Sequence, residues 1–127
     1  MPLYSYTPEL AQKVESGDKC QTYRAKRTVR PKVGQQAHNY AGSYSKKRKH
    51  LGSPVITDVI DVLVGGKGII FYFCHPREYI VNDQAELDCE ARLDGFENWH
   101  QMRDYIADAY GLPADLELIK WESGNAK

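Results

Sequence analysis

Apolar and polar positions change period several times along this chain, and each period implies an element. Residues 3–6, Leu-Tyr-Ser-Tyr, can form a short strand. Thr7 reads as an N-cap, Pro8 as the first helical residue, and Glu9 suits the positive end of the helix dipole. Leu10, Ala11 and Val14 make one apolar stripe, and Gly17 supplies a left-handed stop. Residues 8–16 are therefore predicted to be a short helix, with Lys19 just past its end. Residues 20–24 alternate as a strand, with Cys20, Thr22 and Arg24 on one face and Gln21 and Tyr23 on the other. Residues 26–32 predict a basic loop punctuated by Pro31. Residues 35–41 predict a strand entered by a turn at Gly34, and residues 42–52 a polar, basic loop.

The density of β-branched residues over 55–64 predicts a strand, and a slip in its alternation predicts a bulge near Ile60 and Asp61. Gly65, Gly66, Lys67 and Gly68 predict a hairpin turn, residues 68–73 a returning strand broken by His75 and Pro76, and residues 78–81 a further short strand. Asn98 and Gln101 have capping-box spacing. Trp99, Met102, Ile106 and Tyr110 then share a helical face that ends at Gly111 and Pro113. Residues 116–121 predict a last strand, and residues 122–127 a frayed end. The order predicts an α+β fold: a single domain over residues 1–127, with two main helices beside a mainly antiparallel sheet or small barrel.

Composition narrows the class. A chain of 127 residues can bury a core without disulfides or metal. It has no apolar run of membrane-spanning length, its start lacks the features of a secretory signal, and Cys20, Cys74 and Cys89 have no pairing motif. A cytoplasmic protein with reduced thiols is expected, without membrane, metal or cofactor. The net charge of zero hides an asymmetry. Residues 19–57 contain no Asp or Glu but ten cations: Lys19, Arg24, Lys26, Arg27, Arg30, Lys32, Lys46, Lys47, Arg48 and Lys49. From Asp58 onward there are 14 acids and six basic residues. Tyr23, Tyr40 and Tyr44 stand among the cations, as stacking on bases would require. This pattern points to a nucleic acid or another phosphate-rich partner. The competing reading is that the acidic remainder neutralises the basic third within the fold.

Chemistry has two candidate segments. Lys19, Thr22 and Arg24 place a hydroxyl between cations. A Lys with a depressed pKa can take the Thr proton, and an Arg can hold phosphate or steady an oxyanion. The same three residues also suit plain anion binding. Asp94 and Glu97 are expected just before a helix, where acids favour the dipole and could also activate water or orient an amine. Neither CxxC nor HExxH occurs, and the Gly65–Gly68 turn lacks the hydroxyl of a P-loop.

Gly17-x-Lys19-x-x-Thr22-x-Arg24 resembles the signature of the ASCH domain, a branch of the PUA-like fold. Ala25-Lys26-Arg27, Arg30-Pro31-x-x-Gly34, Tyr40-x-Gly42 and the segment from Ala91 to Met102, with Leu93-Asp94-Gly95-Phe96 at its centre, resemble the phage and prophage version. The resemblance runs over residues 3–121. It implies a twisted, mostly antiparallel β-barrel with flanking helices and a cleft at the Gly-x-Lys motif. It also implies RNA or nucleotide binding in that cleft, with Arg24, Lys26, Arg27, Arg30, Tyr40 and Glu97 as ligand contacts. Some small members are amidohydrolases that deacetylate N4-acetylcytidine with a Lys, a Thr and a Glu, and ribonuclease activity is known in the family. The Lys and Thr correspond to Lys19 and Thr22. The Glu corresponds to Asp94, which is shorter by one methylene. Three functions are therefore carried forward: a nucleic-acid-binding module, a hydrolase acting on an acylated cytidine, and a regulator that binds a protein through its acidic helix face.

Overall fold

The computed structural model describes residues 3–42, 49–74 and 77–122. The expectations for Tyr44, for the cations at residues 46–48, for the break at His75 and Pro76, and for the end of the chain after residue 122 lie outside the described residues. The elements run β1 (Leu3–Tyr6), α1 (Pro8–Ser16), β2 (Gln21–Ala25), β3 (His38–Ala41), β4 (Lys49–Gly52), β5 (Ile56–Val64), β6 (Ile69–Cys74), β7 (Arg77–Val81), α2 (Gln84–Leu93), α3 (Trp99–Tyr110) and β8 (Ala114–Trp121). The fold is α+β, with eight strands in two mostly antiparallel sheets and three helices among the described residues. The larger sheet has the order β2-β8-β5-β6-β7 and the smaller the order β1-β3-β4, in which only β1 and β3 run parallel. The two sheets do not close into a barrel among the described residues.

Local chemistry explains most boundaries. Pro8 opens α1, and Gly17 closes it in the left-handed conformation, donating its N–H to Val14 O at 3.2 Å. Leu10, Ala11 and Val14 are the buried stripe. The β5–β6 hairpin turns where the glycines predict, with Gly65 N donating to Gly68 O at 2.8 Å. Gly68 itself packs so closely on β7 that a Cβ there would lie 2.5 Å from Val81 O. At α3, Asn98 Oδ1 accepts from Gln101 N at 2.9 Å, while Gln101 Oε1 reaches back to Glu97 N at 2.8 Å.

Several expectations are corrected. There are three helices, not two: α2 was hidden because only Leu87 and Ala91 form its buried side, too sparse a stripe to read as a period. Asp94 and Glu97 do precede a helix, α3, as expected, but Asp94 also caps the C-terminus of α2. The register shift in β5 falls between Ile56 and Asp58, not near Ile60 and Asp61. Gln36 makes only an isolated bridge to Val55, so the strand predicted over residues 35–41 begins at His38. Residues 42–52 are not all loop, since β4 occupies Lys49–Gly52. Trp99, Met102 and Ile106 are buried, but Tyr110 is exposed because the last turn of α3 runs past the core.

Strand β8 is buried on both faces, as befits a strand flanked by β2 and β5. Next to it, β2 directs Gln21 and Tyr23 toward α2, where both side chains donate to Glu90 Oε1. Its other face, carrying Thr22 and Arg24, lies under the small sheet. Arg24 Nη2 donates to Ser5 O at 2.8 Å and its guanidinium sits 4.9 Å from the Tyr6 ring centre and 5.4 Å from that of Tyr4. Arg27 donates to Leu3 O at 2.6 Å and covers Tyr4 at 4.5 Å. The small sheet is thus held on the large one by cation–π contacts and arginine-to-carbonyl hydrogen bonds.

The basic loop is anchored the same way. Arg30 Nε donates to Glu117 Oε1 at 2.6 Å, and its Nη2 bonds to Asp61 Oδ1. Lys26 Nζ is 2.8 Å from Asp115 Oδ1. Glu117 is fully buried, so Arg30 is its charge partner rather than an ornament on the surface. Replacing Arg30 with Ala is expected to lower stability by about 1–3 kcal/mol in urea unfolding, because it strands a buried carboxylate. Arg30→Met combined with Glu117→Leu should recover much of the loss. A single-variant loss no larger than that of a surface substitution would contradict this role.

Candidate functional site

Lys19 and Asp94 stand 75 positions apart and meet in the interior. Backbone bonds bring them together: Lys19 N donates to Lys13 O at 2.9 Å, and Cys20 N donates to Leu93 O at 3.2 Å. The segment after α1 is therefore stitched to the end of α2. Lys19 Nζ donates to Asp94 Oδ1 at 2.6 Å and to Asp94 O at 2.7 Å. Lys19 is 1% exposed and Asp94 4%, so the pair is almost dry. Gly95 makes room for it. A Cβ there would lie 3.1 Å from Lys19 Cδ and 3.2 Å from Leu10 Cδ2, at a backbone φ of 91° that disfavours other residues.

Burial decides the charge state. Loss of water pushes the Lys19 ammonium down from its ordinary range, against the pull of Asp94 in the other direction. The same loss pushes Asp94 up to about 6, opposed by Lys19 and more weakly by Arg24. Burial thus weighs against the charged form of each partner, and their contact at 2.6 Å weighs for it.

Thr22 completes the group. Its Oγ1 accepts from Arg24 Nε at 2.9 Å, and it is 4% exposed. The Tyr6 ring lies over Lys19 Nζ at 5.5 Å, and the Tyr6 hydroxyl donates to Asn39 Oδ1 at 3.0 Å. Burial raises the Tyr6 phenol well above its usual value, so it stays protonated. Tyr6, Lys19, Thr22, Arg24 and Asp94 line one cavity of about 40 Å³, closed by Phe96, Tyr105 and Tyr110 among others. That volume holds a water-sized group and no more.

Of the sequence-predicted residues, Lys19, Thr22, Arg24 and Asp94 are brought together. The others are not. Lys26 and Arg30 are tied to Asp61, Asp115 and Glu117, and Arg27 to Leu3 O and Tyr4. Lys49 pairs with Glu15 at 2.8 Å. Lys19, Lys26, Arg30 and Lys49 are thus each paired with an acid within the fold. Tyr23 is buried with its hydroxyl on Glu90, which closes it to stacking. Tyr40 lies against His50, ring centres 5.1 Å apart, outside the cavity. Glu97 is exposed on a groove of about 670 Å³ between the starts of α1 and α3, which shares Leu10, Phe96 and Tyr105 with the cavity. Tyr6 and Asn39 were missed; a Tyr in a short strand and an Asn in a polar stretch carry no spacing signal. No group of three or more His, Cys, Asp or Glu able to hold a metal occurs among the described residues.

Asp94 gives a signed pH test. Folded, it keeps its proton to about pH 6; unfolded, only to about its ordinary value of 3.8. The folded state binds more protons in that window, so this contribution to stability falls as pH rises from about 4 to 6 and is flat above. Asp94→Asn should remove that slope from urea-unfolding curves, and an unchanged slope would show that Asp94 titrates normally. Gly95→Ala should destabilise the chain by about 1–3 kcal/mol, since the added methyl meets the Lys19 stem in a strained backbone. Comparisons with protein-family models, with curated proteins and with solved structures each find no match to this chain.

Proposed function

We propose that this chain is an ASCH-type, PUA-like module, an open two-sheet relative of the barrel, that binds a nucleoside or nucleotide unit, free or within RNA, at the Lys19–Thr22–Arg24–Asp94 centre. The observation that carries this is the convergence of both resemblance motifs on one buried polar site. Lys19, Thr22 and Arg24 come from the first motif and Asp94 from the second, and the Lys19–Asp94 contact of 2.6 Å joins them. The same geometry argues for a ligand of nucleotide size over a long strand laid across a basic face. Lys26, Arg27 and Arg30 are engaged within the fold rather than presented together to a phosphate backbone.

A second reading, hydrolysis of an acylated cytidine, is favoured by one specific feature: a hydroxyl held by Arg24 in the same cavity as a hydrogen-bonded Lys–Asp pair. In that reaction neutral Lys19 takes the Thr22 proton, and Oγ1 attacks the amide carbonyl carbon. Arg24 steadies the oxyanion. The C–N bond breaks as Lys19, with Asp94 behind it, returns a proton to the leaving amine. Water then releases the acyl group from Thr22.

One experiment separates the two. The protein is incubated with N4-acetylcytidine, and cytidine release is followed by chromatography alongside a titration with short RNA at low salt. Binding without release supports the module alone. Release that falls about 100-fold or more in both Lys19→Ala and Thr22→Ala supports the hydrolase. Normal release by Thr22→Ala rules out the nucleophile role, and absence of both binding and release rules out both readings.

A further inference from the structure

The 40 Å³ cavity is too small for a nucleobase, so the ligand must lie in a neighbouring space. Two grooves of ligand size border the centre. The larger, of about 670 Å³, is lined by apolar Pro8, Leu10, Phe96 and Tyr105 and by polar groups such as Glu9 and Gln101, and does not reach Lys19 or Asn39. The second, of about 440 Å³, lies between the end of α1, β4 and the end of β8, and Lys19 itself forms part of its wall. Lys19 therefore separates a ligand-sized chamber from the water-sized cavity that holds Thr22, Arg24 and Asp94.

The second groove also contains a recognition group. Asn39 lines it, is fully buried, and has one half of its amide engaged: Oδ1 accepts from Tyr6, while Nδ2 has no partner among the described residues. A buried N–H without an acceptor is costly, and a ligand oxygen supplies one. Lys19 Nζ gives two of its three N–H groups to Asp94. The Asn39 amide thus offers a hydrogen-bond donor to an acceptor atom. The walls are apolar, from Val14, Leu51, Pro54, Val55 and Trp121. Glu15 and Glu122 also line the groove. Glu122 disfavours a phosphate or carboxylate inside, Glu15 is paired with Lys49, and the Lys19 charge is already answered by Asp94. An uncharged flat ring bearing a carbonyl oxygen satisfies the donor, the apolar walls and Glu122 together.

We infer that the groove between α1, β4 and the end of β8 takes the base of the ligand, with a ring carbonyl oxygen accepting from Asn39 Nδ2. This rests on the reading that the ligand is a nucleoside or nucleotide unit. Asn39 is then the residue that reads the base. Ser53 keeps the groove's shape, because its Oγ is within hydrogen-bonding distance of His38 Nδ1 at 2.8 Å and of His50 Nε2 at 2.9 Å, joining β3 to β4.

The test is an NMR titration of the full chain with cytidine. The Asn39 side-chain amide, the Ser53 amide and Trp121 are expected to shift. Val55→Trp, which fills the groove from a position 40% exposed, should weaken binding by about tenfold or more. Glu9→Trp, which fills the other groove, should leave binding unchanged. Asn39→Asp should weaken binding too, and because a buried carboxylate at that position also destabilises the fold, Val55→Trp stands as the independent check. Shifts gathered at Thr7, Glu9 and Gln101, with Glu9→Trp the blocking variant, would overturn the groove assignment while leaving the nucleoside reading intact. No shift at millimolar cytidine in the unaltered chain would overturn both.

Discussion

The Lys19–Asp94 pair is the constraint around which the rest of this structure is arranged. Two charged groups removed from water are costly, and their attraction offsets that cost only with close geometry and further hydrogen bonds. Every neighbouring feature serves that requirement. The bonds from Lys19 N to Lys13 O and from Cys20 N to Leu93 O fix the two segments. Gly95 leaves room for the Lys19 stem, and Asp94 O gives the ammonium a second acceptor. The pair links the end of α1 to the end of α2, so the position of two helices depends on it.

A second layer of charge lies between the sheets. Arg24 and Arg27 lie against Tyr4 and Tyr6, and Arg30 and Lys26 reach Asp61, Asp115 and Glu117. These contacts tie part of the basic segment to acids of β5 and β8 and to the small sheet. At the small buried centre, desolvation is the largest influence on the charge of Lys19 and Asp94.

Much of this was legible in the sequence. Strong local signals gave right answers: Thr7-Pro8 and Gly17 for α1, the glycine turn before β6, and Asn98 with Gln101 for α3. Lys19, Thr22, Arg24 and Asp94 were legible as a group only through two motifs, because no spacing rule tells that residues 75 positions apart will touch. What failed did so for physical reasons. The α2 stripe was too thin to show a period. Sequence did not show that Lys26 and Arg30 would fold against Asp61, Asp115 and Glu117. Asn39 carried no signal at all: its meaning lies in full burial and an amide Nδ2 without a partner among the described residues.

A double-mutant cycle with Lys19→Met and Asp94→Asn, read by urea unfolding, tests the central claim most directly. If the pair anchors the site, each single change costs about 3–5 kcal/mol and the double change costs little more than either alone, since one removal already strands its partner. Losses that simply add would show two independent residues, and the buried pair would not be what the centre is built on.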